Sequence, residues 1–309
     1  MKVFVAGATG VLGRPTVKAL VTAGHEVRGT ARDTQKADLL RSLGAEPVEL
    51  DLFNLDSARS ALAGSDAVVN VATKIPPLTR IRWKGAWKEN DRLRSHASRI
   101  LADAAREAGV GAYISESITF IYADGGEGWL TEESPLDVSW ISLRSMLDAE
   151  RATEAFTRAG GRGLSLRFSA FYAPYAQSTL DTLRFARRRM FPVAGRGDNY
   201  FSSIHVDDAA AAIVAALPLP AGVYNVTDDE PLRMREYAEA ISEATGAPAA
   251  RRVPVWLFKL IGGGPAQYLL RSQRVSNHRL KEATGWSPQY AGARDGWRQI
   301  AQATALMSS

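Results

Sequence analysis

Gly7, Gly10 and Gly13, with Thr9, Val11 and Leu12 set among them in the run GATGVLG, have the types and spacing that most directly suggest chemistry. Glycines spaced this way let a backbone turn tightly and bring its N–H groups, with the positive end of a following helix, against a phosphate. The ligand that such a loop serves is a dinucleotide held by its pyrophosphate. Further along, Thr30-Ala31-Arg32 stands where a carboxylate would otherwise hold a ribose 2′-hydroxyl. A guanidinium there can fork onto a 2′-phosphate, which an acid would repel, and Arg14 directly after the last glycine is a second cation. NADP(H) is therefore expected over NAD(H). Two alternatives stay open: Arg32 as an ordinary surface arginine, and Asp33 on the ribose if the register is shifted.

These residues need a frame to hold them. Val3 to Ala6 is a short apolar run of buried-strand type, and Val17, Leu20 and Val21 repeat at helical spacing behind the glycines. Gly24 ends that helix, and Val27 to Ala31 make a second strand. The order strand, glycine loop, helix, strand is the context in which the glycine pattern carries weight. PVELDLFNL then gives a third strand ending at Asp51-Leu52, and DAVVNVAT a fourth ending at Ala72-Thr73.

Composition narrows the class. The 309 residues suffice for one large α/β domain or two smaller ones, and 46% hydrophobic with 23% charged residues fits a globular chain. The net charge of +5 is spread along the chain, which argues against a nucleic-acid partner. The densest basic cluster, Arg187-Arg188-Arg189, reads as a solvated helix face. With no cysteine, disulfides and thiolate chemistry are excluded, and His25, His96, His205 and His278 lack metal-ligand spacing, so no metal site is expected. No apolar run is long enough to span a bilayer and the N-terminus starts directly on a strand, so no signal peptide, no membrane partner and a cytoplasmic location are expected.

GATGVLG, the Asp51-Leu52 pair and VVNVAT together resemble the extended short-chain dehydrogenase/reductase superfamily, also called the epimerase/dehydratase family. The resemblance continues through HASRILADAAREAGVGAYISESITFIY at 96–122, LRFSAFYAP at 166–174, SSIHVDDAAAAIVAAL at 202–217 and the tail from RLKEATGWSPQY. It implies an α/β Rossmann-like doubly wound parallel sheet with a smaller C-terminal substrate-binding lobe. The dinucleotide domain would comprise residues 1–174 with 200–227, and the lobe 175–199 and 228–309. It also implies that Asp51 and Leu52 lie against the adenine, and Ala72 and Thr73 along the dinucleotide. His205 and Asp207-Asp208 fall in a segment that is mostly structural in this family. Members often dimerise through two long helices, here near 90–108 and 142–159. The polar face at Arg92, Arg99 and Arg106 leaves monomer and homodimer both open.

The family's chemistry uses a tyrosine, a lysine four residues later and a serine or threonine on the fifth strand. Aligning Ala149-Glu150 with the acid that follows the lysine puts Ser142 at the tyrosine position, Met146 at the lysine position and Ile118 at the serine position. No small shift restores the pair: no lysine occurs from Glu89 through Phe258, and no tyrosine between Tyr122 and Tyr172. Oxidation of an alcohol needs a base in place and is crippled by this loss. Reduction delivers hydride first and then needs a proton, which a phenol hydrogen-bonded to the substrate carbonyl can provide. The sequence thus points to an NADPH-dependent ketoreductase acting on a small, aromatic carbonyl substrate of hydroxylated polyketide type. Ser117 and Ser142 are the candidate donors to the carbonyl oxygen, with Lys74 and Ser95 as outsiders, and Glu116 is expected to pair with an arginine, with a proton relay as the alternative. The alternative is a non-catalytic NADP(H)-binding redox sensor, for which loss of the pair is also natural.

Overall fold

The computed structural model of the chain describes residues 1–139 and 141–306, without the side chains of residues 141, 142, 305 and 306. Its centre is a sheet of seven strands: β1 (Lys2–Ala6), β2 (Glu26–Thr30), β3 (Glu46–Val48), β4 (Ala67–Asn70), β5 (Ala112–Ile118), β6 (Arg162–Phe168) and β7 (Gly222–Val226). All six pairings are parallel, in the order β7-β6-β5-β4-β1-β2-β3. Such a sheet is covered on both faces, which is why β4 (AVVN) is buried at every residue. This is the doubly wound Rossmann-like fold that the sequence implied.

Helices α1 (Gly13–Thr22), α2 (Thr34–Ser42), α3 (Leu55–Leu62), α4 (Ser98–Glu107) and α5 (Ile141–Arg158) supply most of the cover. Val5, Val17, Leu20, Leu40 and Ile114 share a core on one face, and Phe4, Leu62, Leu101, Tyr113 and Phe156 a core on the other. Neighbouring residues such as Phe4 and Val5, or Tyr113 and Ile114, go to opposite cores because side chains alternate along a strand. Capping defines the helix starts: Asp33 accepts the Lys36 N–H at α2, and Asn54 accepts the Ser57 N–H at α3, each at 2.9 Å.

The chain runs outward from β1 through β2 to β3, then returns to place β4 on the other side of β1. That reversal opens a crevice at the carboxyl ends of β1 and β4, where ligands bind in open α/β sheets. In the later part of the chain, α6 (Gln177–Arg187), α8 (Met234–Thr245) and α12 (Ala293–Leu306) gather around Leu183, Tyr237, Ile241 and Trp297. Tyr172, just before α6, stacks on Trp297 with ring centroids 5.5 Å apart. Helix α7 (Val206–Ala216) leads back into β7 at the sheet edge, while α9 (Val255–Gly262), α10 (Gly264–Leu269) and α11 (His278–Thr284) complete the late segments.

Candidate active site

The glycine loop leaves β1 with no room for side chains. Gly7 has φ +83°, and a Cβ there would lie 2.7 Å from the Ala72 Cα beyond β4. A Cβ on Gly13 would lie 2.1 Å from the Gly7 carbonyl oxygen, so α1 starts directly against the loop backbone. The Gly7 N–H donates to Thr30 Oγ1 at 2.8 Å, fastening the loop to the end of β2. The Gly10 N–H closes the turn onto the Gly7 carbonyl at 2.9 Å. Beyond it, the Val11 and Leu12 N–H groups take no partner among the described residues. Unpaired N–H groups at the positive end of a helix, beside backbone that only glycine permits, fit a pyrophosphate.

Arg32 is exposed just past β2 and makes no hydrogen bond or ion pair among the described residues. Asp33 is occupied differently. It caps α2 and pairs with the Lys36 ammonium, which holds its carboxyl below the usual aspartate range. The shifted register that would put Asp33 on a ribose therefore competes with a cap already made. Arg14 donates from Nε to the Thr9 carbonyl at 3.0 Å, and its guanidinium lies 5.6 Å from the centre of the Tyr175 ring. Tyr175 in turn donates to the Val11 carbonyl at 3.0 Å, so the late segment grips the loop.

The remaining cofactor candidates line the same edge. Asp51 accepts the Phe53 N–H at 2.9 Å, which shapes the turn after β3, and Leu52 is half-buried beside it. Ala72 and Thr73 are half-buried after β4, with the Ala72 N–H donating to Asn70 Oδ1 at 3.2 Å.

The proton-transfer side is apolar. Met146 is buried with Ile121, Leu143 and Tyr268, with Ile118, Phe120, Val138 and Leu147 packed around them. Tyr268, from α10, is a phenol that sequence reasoning missed, with the Arg271 guanidinium 4.3 Å from its ring centre. The side chain of Ser142 lies outside the described residues. Ser117 is fully buried and donates to Glu150 Oε1 at 2.6 Å. Glu150 is held by Arg167 through two bonds of 2.8 Å, from Nε and Nη2. Arg167 Nη1 also donates to the Tyr122 hydroxyl at 2.9 Å, which in turn donates a hydrogen bond to Asn225 Oδ1 at 2.7 Å. Burial pushes the Tyr122 phenol up to about 12, so it stays protonated.

This Ser117–Glu150–Arg167–Tyr122–Asn225 network was not foreseen because its members are scattered over more than a hundred residues. Its one sequence signal was Ala149-Glu150, used only for alignment. Ser117 thus has a committed acceptor on the face toward α5. Glu116 pairs with Arg94 at 2.6 Å, both buried, as the sequence suggested. Lys74 pairs with Glu89 at 2.7 Å near the surface, and Ser95 donates to the Asp91 carbonyl at 2.7 Å. His205 receives the Asp207 N–H on Nδ1 and meets Gln299 Oε1 through Nε2 at 3.1 Å. Asp208 accepts the Gln289 and Tyr290 N–H groups. This segment ties α7 to the tail.

Residues 3–227 match the model of the NAD dependent epimerase/dehydratase family, and the chain belongs to that family. Among curated relatives, a 3-diazoavenalumate denitrifying reductase of a Streptomyces species is 33% identical, the match covering 96% of this chain and 99% of that protein. A 2-alkyl-3-oxoalkanoate reductase of Shewanella oneidensis is 28% identical over 84% of this chain and 70% of its own length. In fold, the human epimerase family protein SDR39U1, solved with NADPH, superposes with a TM-score of 0.80 at 23% identity, covering 98% of this chain and 99% of that one.

Proposed function

We propose that the protein is an NADPH-dependent carbonyl reductase that works without a Tyr/Lys pair, on a ketone or quinone of hydroxylated aromatic polyketide type. The observation that carries this is the pairing of a complete glycine cradle with Met146 at the lysine position and Ile118 at the serine position, packed together with Ile121, Leu143 and Tyr268. The reductase activities of the Streptomyces and Shewanella relatives support the direction of the reaction.

The Val11 and Leu12 N–H groups would hold the pyrophosphate, Arg32 and Arg14 the 2′-phosphate, and Asp51, Leu52, Ala72 and Thr73 the rest of the dinucleotide. When bound, the nicotinamide supplies a hydride to the carbonyl carbon. The apolar cluster excludes water, and its half-buried rim at Ile118 and Phe120 would face a flat substrate, which leaves the carbonyl oxygen to be protonated by the substrate's own neighbouring phenol. A general acid is worth about 10²–10⁴ in rate, or roughly 3–5 kcal/mol of barrier, and a substrate phenol must make up most of that. Ser142, at the tyrosine position, is assigned a hydrogen bond to the carbonyl oxygen. Ser117 would reach it only by releasing Glu150, so its assignment is the weaker of the two.

The test compares ortho-hydroxyaryl ketones with their methyl ethers, following NADPH absorbance. The hydroxylated ketones should be consumed and the ethers should be slower by about 10²-fold or more. Equal rates would refute substrate-assisted protonation, and NADPH that binds but is never consumed would favour the sensor. If Ser142→Ala and Ser117→Ala proteins both work at the parent rate, neither hydroxyl has the assigned role.

A further inference from the structure

Helix α9 (VWLFKLIG) has no buried residue: Val255 is 41% exposed, Trp256 67%, Leu260 72% and Ile261 58%. A helix this apolar normally buries a face, and monomeric proteins rarely leave such a patch open. It is anchored at both ends. The strand before it, Arg251–Val253, pairs in parallel with Pro192–Ala194, and a Cβ on Gly195 would touch Val255 at 3.1 Å. Gly263 after it lies against Arg82, next to Trp83, which is 52% exposed. Three segments distant in sequence therefore meet around this helix: 74–88, 182–197 and 251–264.

None of the three contains an acidic residue. Their exposed cations are Lys74, Arg80, Arg82, Lys84 and Lys88 in the first, Arg184, Arg187, Arg188, Arg189 and Arg196 in the second, and Arg251, Arg252 and Lys259 in the third; Lys74, Arg184 and Arg196 pair with Glu89, Asp181 and Asp198 just outside these segments, which leaves the cations in excess. Exposed Met190 adjoins the second set. From this we infer that α9 and its basic surround are a docking surface for an anionic lipid bilayer, with Trp256, Leu260 and Ile261 inserted among the acyl chains. Tryptophan and aliphatic side chains on a short helix, ringed by arginine and lysine, form the composition that lies in a membrane interface.

Charge complementarity selects this occupant. A second copy meeting the same face across a two-fold axis would set cations against cations. A folded acidic partner would answer the charge but would need a groove for the exposed face of Trp256, Leu260 and Ile261. A bilayer answers both. The sequence expectation of no membrane partner rested on the lack of a spanning segment, and a helix lying in the interface plane needs none. The surface does not depend on the reductase reading.

The experiment is co-sedimentation of the full chain with vesicles of phosphatidylcholine, with and without phosphatidylglycerol, at low and high salt. The protein should pellet with the mixed vesicles and be released by salt. Trp256→Ser and Leu260→Ser should each weaken partitioning by about tenfold. Arg187→Gln, Arg188→Gln and Arg189→Gln should weaken it by about fivefold for each charge removed. All five positions are exposed, and NADPH binding by the variants checks that each remains folded. The inference is overturned if the parent fails to pellet at low salt, if it pellets equally with phosphatidylcholine alone, or if the variants bind like the parent. A soluble dimer that Trp256→Ser dissociates, without vesicle binding, would give the face to a second copy and overturn it as well.

Discussion

Replacing Arg32 with alanine separates the two nicotinamide dinucleotides. Arg32 is exposed and makes no ion pair among the described residues, and its neighbour Asp33 is already taken by the α2 cap and Lys36. The substitution therefore breaks no internal bond, and its effect falls on the 2′-phosphate alone. A hydrogen bond to a charged group is worth about 1.5–3 kcal/mol, and solvent at this site trims that to roughly 1–2 kcal/mol. The Arg32→Ala protein should bind NADPH about 5- to 30-fold more weakly while its NADH affinity stays at the parent value. Calorimetric titration of both nucleotides gives the ratio directly. The gap should also narrow with added salt, since about 0.1 M electrolyte screens exposed charges beyond roughly 10 Å. Equal losses for both nucleotides would show that Arg32 only supports the loop, and no loss for either would refute the phosphate assignment.

Three further outcomes follow from the geometry. Gly13→Ala forces a methyl against the Gly7 carbonyl oxygen and the Ala8 backbone, none of which can yield cheaply, so both nucleotides should bind at least about tenfold more weakly by titration. Arg167→Met leaves the Glu150 carboxylate buried without its partner and should cost about 3–5 kcal/mol in urea unfolding, with Glu150→Gln in the same chain recovering part of it. Burial holds the His205 imidazole below the usual histidine range, so it stays neutral in the fold while the unfolded chain takes a proton near pH 6.5. Stability should therefore fall as pH drops below that value, by up to about 1.4 kcal/mol per pH unit, and His205→Gln should flatten the slope in melting curves taken at a series of pH values.

The dinucleotide half of the molecule was legible in the sequence because local rules fix it. Glycine spacing, a strand before and a helix after left one backbone path, and the 2.1 Å and 2.7 Å limits at Gly13 and Gly7 are the physical content of that pattern. The absence of Tyr-x-x-x-Lys was equally readable, since it needs only counting. What occupies the vacated positions was not. Tyr268 reaches Met146 across more than a hundred residues, and the Glu150–Arg167–Tyr122 network depends on strand register, with Ser117 opposite Arg167. The Arg187-Arg188-Arg189 cluster was read as a solvated helix face; all three are exposed, but the helix ends at Arg187 and Arg189 turns away with φ +56°. Its neighbourhood with α9 came from the parallel pairing of 192–194 with 251–253, which no local pattern signals.

The most direct test of the account is a single turnover with NADPH carrying deuterium at the transferable C4 position, in the presence of an ortho-hydroxyaryl ketone. Mass spectrometry should find one deuterium on the carbinol carbon of the product and an oxidised coenzyme in equal amount. A ketone recovered unlabelled from protein saturated with intact NADPH would contradict it.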